Sequence, residues 1–286
     1  MKLYLKEMVA SAAILLGTTL ASSAADKLDE VKSRGKIIIG VQTDYPDWGY
    51  LDPKTGEITG FEVDLANLIS GELLGAGVKA ELVPVNAQTR TTLLNTDRVD
   101  MLSALVTITP ARMEQIRYST VYYLSGQTLV VKRDSNITDV KDLAGKSICV
   151  NLGSSEEQNI RILAPNSTIL TYAKTPDSLL ALKGGRCDAM TSGRSVLAII
   201  AKSDPSLKMV GGVMTFSPIG MGFKKVDDSS LVDAVDAILA KIGTDGRYQA
   251  LYKQWFGEDV PSDYRDWYGM KPEEASARFE ASLPKK

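Results

Sequence analysis

Histidine is missing altogether from the 286 residues, which removes the commonest general base and the commonest metal ligand. Cysteine is nearly missing: Cys149 and Cys187 are the two present, and alone they cannot complete a zinc site. No Gly-x-Ser-x-Gly elbow, P-loop or metal-ligand spacing occurs, so the usual signatures of hydrolytic, nucleotide and metal chemistry are lacking. An excess of one charge is lacking too. The 33 Lys and Arg against 35 Asp and Glu leave a formal charge of −2, which argues against a basic surface for nucleic acid. The apolar run from Met8 to Leu20 is shorter than the roughly 20 residues a membrane-spanning helix needs, and Ser11, Thr18 and Thr19 interrupt it.

Around that run stands a different signal. Lys2 and Lys6 precede it and Ala21-Ser22-Ser23-Ala24-Ala25 follows, the pattern of a cleavable secretory signal over residues 1–24. Ser22 and Ala24 suit a cut after Ala24, and Ser23 and Ala25 suit one a residue later. No cysteine near the cut could take a lipid, so the expected location is the periplasm of a two-membrane bacterium. In that oxidising compartment Cys149 and Cys187 can form a disulfide. Each begins a strand-like run, so the two could be sheet neighbours; two buried free thiols are the other reading.

Roughly 260 residues remain after cleavage, more than one compact core usually holds, so two lobes are expected. Short β-branched runs alternate with helical periodicity from residue 36 to about 210, the signature of βαβ units and an α/β class. The first series predicts strands over Lys36–Val41, Val78–Val83 and Val99–Leu105, with helices from Phe61 to Leu74 and over Gln88–Asn95. Thr109-Pro110 reads as a helix cap followed by proline at the first helical position. A fresh series begins at Gln127–Lys132, and Ser217 to Phe223 reads as a second extended crossing back. The expected division is 27–127 plus 220–260 for one lobe and 128–219 for the other, with 261–286 a polar surface helix or loose tail.

The decapeptide Gly60-Phe61-Glu62-Val63-Asp64-Leu65-Ala66-Asn67-Leu68-Ile69 resembles the signature of the family 3 extracellular solute-binding proteins, which serve polar amino acids and opines. In physical terms it is a glycine turn into a helix whose Glu62 and Asp64 suit the positive helix start. Thr43-Asp44-Tyr45-Pro46, Thr107 to Arg112, Gly145 to Ser155, Gly185 to Ala189, Gly220-Met221-Gly222 and Asp245 to Gly257 resemble the family in the same order. The resemblance covers nearly all of residues 30–260 and implies a type II periplasmic binding protein fold: two lobes, two crossing hinge strands and a ligand in the cleft. Open α/β sheets bind ligands at the carboxyl ends of their strands, which agrees.

The resemblance also places residues. Arg112 would fork onto an α-carboxylate, with Thr107 and the N–H groups of Leu105 and Thr107 as further donors on the Ala104–Arg112 segment. Gly153-Ser154-Ser155 leads into a helix whose N–H groups suit the same anion; ordinary helix capping is the plainer reading. Tyr45 and Trp48 would wall the ligand side chain, although Trp48 could instead pack on the lobe surface, and Asn151 matches a side-chain contact. Gly193 stands where the family usually has an aspartate for the α-ammonium. Either another acid, Asp47 or Glu156, replaces it, or the ligand lacks an ordinary α-ammonium.

The function these expectations imply is non-enzymatic: a monomer, free of cofactor and metal, that captures a small polar solute by hinge closure and hands it to an ABC importer permease. Two alternatives belong to other classes. Some periplasmic dehydratases resemble this family, and a soluble sensor could present its closed form to a membrane receptor.

Overall fold

The computed structural model describes residues 26–283, so the expected signal at 1–24 lies outside the described residues. No helix among them is long and apolar enough to cross a membrane. Helix α1 (Lys27–Arg34), capped by Asp26, leads into strand β1 (Ile38–Gln42). A small sheet of β2 (Asp44–Tyr45), β3 (Gly49–Leu51) and β4 (Ile58–Thr59) then carries the chain to α2 (Phe61–Leu74). Gly60, which starts α2, has φ +144°, and a Cβ there would lie 2.3 Å from the Trp48 carbonyl oxygen, so only glycine fits this turn. Next come β5 (Glu81–Val85), α3 (Arg90–Asn95), β6 (Met101–Ser103), α4 (Pro110–Met113) and β7 (Ile116–Tyr118).

The second sheet begins with β8 (Tyr123–Lys132), followed by β9 (Ser147–Asn151), α5 (Ser155–Leu163), β10 (Thr168–Tyr172), α6 (Thr175–Lys183), β11 (Ala189–Gly193), α7 (Arg194–Ser203) and β12 (Leu207–Ile219). The chain returns to the first sheet with β13 (Gly222–Lys224), then α8 (Ser230–Thr244), α9 (Arg247–Phe256) and α10 (Pro272–Ser282). The first sheet has the order β5-β1-β6-β13-β7 and the second β10-β9-β11-β8-β12. In each, the leading strands pair in parallel and the strand arriving from the other lobe pairs antiparallel. This is the α/β, two-lobed type II arrangement.

Two strands join the lobes. β8 and β12 pair antiparallel from Tyr123 opposite Ile219 to Gln127 opposite Thr215, and their register shifts between Val210 and Thr215. The return crossing therefore lies within a longer strand than the expected 217–223, and Gly222–Lys224 already belongs to the first sheet. The strand expected over 78–83 is β5, displaced toward its carboxyl end, because Val78 closes a turn onto Gly75 and the Asn67 side chain takes the N–H of Ala80. Helix α3 starts at Arg90 rather than Gln88, since the Asn86 side chain accepts from the N–H groups of Gln88 and Thr89 and holds them in a turn.

Apolar packing holds each lobe. Ile37, Ile39, Val41, Leu65 and Ile69 are fully buried in the first, and each such side chain contributes roughly 1.5–3 kcal/mol relative to exposure. In the second, Leu129, Val131, Ile148, Ile160 and Ala189 form a separate core. Cys149 and Cys187 are joined by a disulfide with Cα atoms 5.8 Å apart, tying β9 to the entry of β11. The segment after residue 260 is not loose. Its α10 is a surface helix with Ala275 and Phe279 buried beneath it, and Trp267 before it packs on Phe216 of β12 with ring centroids 5.7 Å apart.

Candidate functional site

At the carboxyl ends of the first-sheet strands the chain makes a turn that builds one wall of the cleft. Leu105, just past β6, has φ +47°, a left-handed conformation unusual for a branched residue. Its N–H donates to Glu62 Oε1 at 2.7 Å, and its carbonyl accepts from Arg90 Nη1 at 3.2 Å. The hydroxyl of Tyr122 also donates to Glu62 Oε1. Glu62 is fully buried and its Oε2 has no partner among the described residues. Burial pushes the carboxyl up to about 7 against the hydrogen bonds from Tyr122 and Leu105 and the charge of Arg90, which pull it down. The residue expected to face a helix dipole is thus the inner brace of the loop. Asp64 instead accepts from the indole N–H of Trp255 at 2.8 Å.

Arg90 opens α3 and shares a face with Leu94 four residues on, which carries its side chain inward; it is 4% exposed. Nη1 donates to the carbonyls of Ala104 at 2.6 Å and Leu105 at 3.2 Å. Nε and Nη2 have no hydrogen-bond partner, and the guanidinium has no salt bridge, among the described residues. Burial, then the nearby charge of Arg112, lowers its pKa to about 10, so it stays cationic at neutral pH.

Arg90, Tyr45, Leu105 and Thr107 line an inter-lobe cavity from the first lobe. From the second come Ser154, Glu156, Ser192, Gly193 and Ser195, and from the hinge strands Ser125 and Ser217. Ser125 and Ser217 sit opposite each other in the β8–β12 pairing. Their hydroxyls and that of Ser195 are buried without a hydrogen-bond partner among the described residues. The free space between these residues is about 30 Å³, room for a water-sized group and too little for an amino acid in this conformation.

Direct bonds across the cleft surround this cavity. Asn151 Nδ2 donates to the Tyr45 hydroxyl at 2.9 Å, and the Thr175 N–H donates to Asp44 at 2.9 Å. The Ser155 and Thr107 hydroxyls are hydrogen-bonded at 3.0 Å, and Arg112 Nη2 donates to the Gly153 carbonyl at 3.1 Å.

Of the residues expected from sequence, Tyr45, Leu105, Thr107, Ser154 and Gly193 therefore line the cavity. Trp48 does not. It is fully buried in the first lobe, edge-on to Tyr123 at 4.5 Å and Phe61 at 5.4 Å, because its ring gains more from aromatic packing than from a polar cleft. Arg112 does not line it either: its guanidinium spans the carbonyls of Thr107 and Gly153. Asn151 lies behind Tyr45, its amide used by Tyr45, Thr175 and Ser178. Ala104 is buried and offers its carbonyl to Arg90, while Gly153 and Ser155 serve the lobe contact. The N–H of Leu105 is taken by Glu62, whereas that of Thr107 has no partner among the described residues. Asp47 is half-buried and does not line the cavity; Glu156 does.

Sequence reasoning missed Arg90, the buried role of Glu62 and the hinge serines. For Arg90 a signal existed, since a charged residue in helical register with a core leucine must either stretch outward or be held inside. Nothing comparable marks Ser125 and Ser217, whose meeting depends on the pairing of strands about ninety residues apart.

Residues 37–258 match the family described as bacterial extracellular solute-binding proteins, family 3. The glutamine-binding protein GlnH of a Bacillus subtilis ABC transporter is 35% identical over 244 residues, covering 85% of this chain and 89% of that one. A cysteine-binding protein from Campylobacter jejuni superposes with a TM-score of 0.78 at 31% identity, over 84% of this chain and 98% of that one. An ancestral amino acid-binding protein, described as a precursor of cyclohexadienyl dehydratase, superposes with a TM-score of 0.74 at 33% identity, over 81% and 100%. With the two lobes, the paired crossing strands and the cavity between them, the match establishes that this chain belongs to the family 3 bacterial extracellular solute-binding proteins.

Proposed function

We propose that the protein captures an amino acid between its lobes by hinge closure, outside the cytoplasmic membrane, and delivers it to an ABC-type importer. The observation that carries this reading is Arg90: a buried guanidinium at the cavity wall with one nitrogen fixed by two carbonyls and the rest unpaired among the described residues. A buried cation without a salt bridge is costly, and a ligand carboxylate entering the cavity offsets that cost. The N–H of Thr107 and the three serine hydroxyls, all without partners among the described residues, supply polar partners for the rest of a small solute. The relatives' names, glutamine-binding and cysteine-binding, support an amino acid as the solute class. The secretory pattern at residues 1–24 supports delivery to the periplasm.

Binding without turnover is the favoured reading over catalysis. Among the described residues Glu156 is the one carboxylate lining the cavity, and the sequence has no histidine to share acid–base work with it. The likeness to a dehydratase precursor keeps the enzymatic alternative testable. The mature protein is unfolded to strip ligand, refolded, and its thermal unfolding followed against amino acids, opines and amine-free dicarboxylates. A ligand at 100 times its dissociation constant adds about 2.7 kcal/mol of stability. A shift with an amino acid that chromatography recovers unchanged is the expected result. No shift with any amino acid overturns the reading, and a converted ligand moves the protein to the enzymes.

A further inference from the structure

The cavity is lined by one charged group of each sign, Arg90 on the first lobe and Glu156 on the second. We propose that Glu156 is the specificity-determining acid of the site: it takes the ammonium of an amino acid whose carboxylate faces Arg90. The assignment rests on the amino-acid reading above and deepens it to a zwitterion held between two fixed charges.

The two glutamates that open α5 have different fates. Glu157 is turned along its own helix, accepting from Arg161 Nη2 at 2.9 Å and from the Gly153 N–H at 2.9 Å. Glu156 lines the cavity, has no salt bridge among the described residues, and receives a single hydrogen bond, from the neighbouring Ser155 hydroxyl at 3.2 Å. Its main chain is fixed from the hinge, where Gln127 Nε2 donates to the Glu156 carbonyl at 3.1 Å. The carboxylate is therefore positioned by a rigid backbone and left free to meet a donor.

The facing wall holds no other acid. Ser192, Gly193 and Ser195 stand there, with Ser125 and Ser217 beneath, and hydroxyls cannot neutralise an ammonium in a closed cavity. Gly193 has φ −58°, an ordinary conformation open to any residue, so its missing side chain is not a backbone requirement. The constraint is steric instead: a Cβ there would lie 3.2 Å from Ser125 Oγ, so a side chain at this position would press on the hinge serine. Asp44, the remaining nearby acid, is occupied by the N–H of Thr175.

Charge balance then selects the ligand. With a guanidinium on one wall and an acid on the other, a zwitterion meets both, whereas an amine-free acid leaves Glu156 without a donor.

The test compares wild type with Glu156→Gln, which keeps size and the Ser155 contact, by calorimetric titration of ligand-stripped protein. The titrants are the amino acid that stabilises the wild type and its amine-free analogue. The expected result is a loss of about 10- to 100-fold for the amino acid, the range for a charged hydrogen bond, with the analogue unchanged or tighter. Equal affinity of the amino acid for both proteins overturns the assignment, and so does an equal loss for both ligands, which would mark Glu156 as structural. A wild type that binds no amino acid fails at the preceding step, in the reading of function, and takes this assignment with it.

Discussion

The backbone N–H of Leu105 donates to the buried carboxylate of Glu62 at 2.7 Å, joining the first turn of α2 to the loop that walls the cleft. Leu105 sits at φ +47°, a conformation that costs a branched residue on the order of 1–2 kcal/mol. The Glu62 bond on its N–H and the Arg90 bond on its carbonyl offset that cost and fix the orientation of the loop. A segment that reads in sequence as a helix start is thus a support for the binding wall.

Glu62 should leave a signature in stability against pH. Its folded pKa of about 7 lies above the ordinary 4.5, so between those values the folded protein keeps a proton that the unfolded chain releases. Stability from this group is greatest below about pH 4.5, falls as pH rises to 7, and is flat beyond. At 1.36 kcal/mol per unit the fall is roughly 3 kcal/mol. Urea unfolding of wild type and Glu62→Gln from pH 4.5 to 8 checks this. The variant, which still offers an oxygen to Leu105, should lose that slope; an unchanged slope would assign it to another group.

Arg90 and Arg112 should separate in binding. Arg90→Gln removes the cation at the cavity wall and should weaken the stabilising amino acid by about 2–5 kcal/mol, the cost of unpairing a buried charge. Arg112→Gln removes bonds to the Thr107 and Gly153 carbonyls and should cost roughly 1 kcal/mol through weaker closure. Calorimetric titration measures both. The reverse ranking would return the carboxylate to Arg112, as the family resemblance implies.

The carboxyl-terminal segment should prove part of the hinge. Gly269 donates to the Val121 carbonyl at 2.8 Å and Val121 donates to that of Met270 at 2.9 Å, just ahead of β8, while Trp267 covers Phe216 on β12. Truncation after Val260 uncovers both crossing strands. It should lower the unfolding temperature and raise amide exchange over residues 121–127 ahead of the lobe cores. Unchanged exchange there would show the segment to be a passive cover.

Much of the architecture was legible because it is local. Strand and helix periodicity, the Thr109-Pro110 cap and the Gly60 turn depend on neighbours within a few residues, and each stands in the structure, with Thr109 Oγ1 accepting from the Arg112 N–H at 3.3 Å. The pairing of Cys149 with Cys187 was legible as a possibility, since both begin strand-like runs, and the β9–β11 register makes it a bond. The site was less legible. Trp48 and Arg112 carry the chemistry expected of ligand contacts, yet one is drawn into an aromatic core and the other into the contact between lobes.

Sequence alone determined the α/β class, the crossing topology and the family, because hydrophobic period, turn residues and motif order are written along the chain. Only tertiary structure decided which polar groups face the cavity. Arg90, Glu156, Ser125 and Ser217 come from four separate elements, and their convergence depends on how two sheets pack, twist and cross. Whether an arginine is a free donor or a spent one is set by the carbonyls within its reach. For Arg90 and Arg112, those carbonyls are fixed by the packing of the loop and of the opposite lobe.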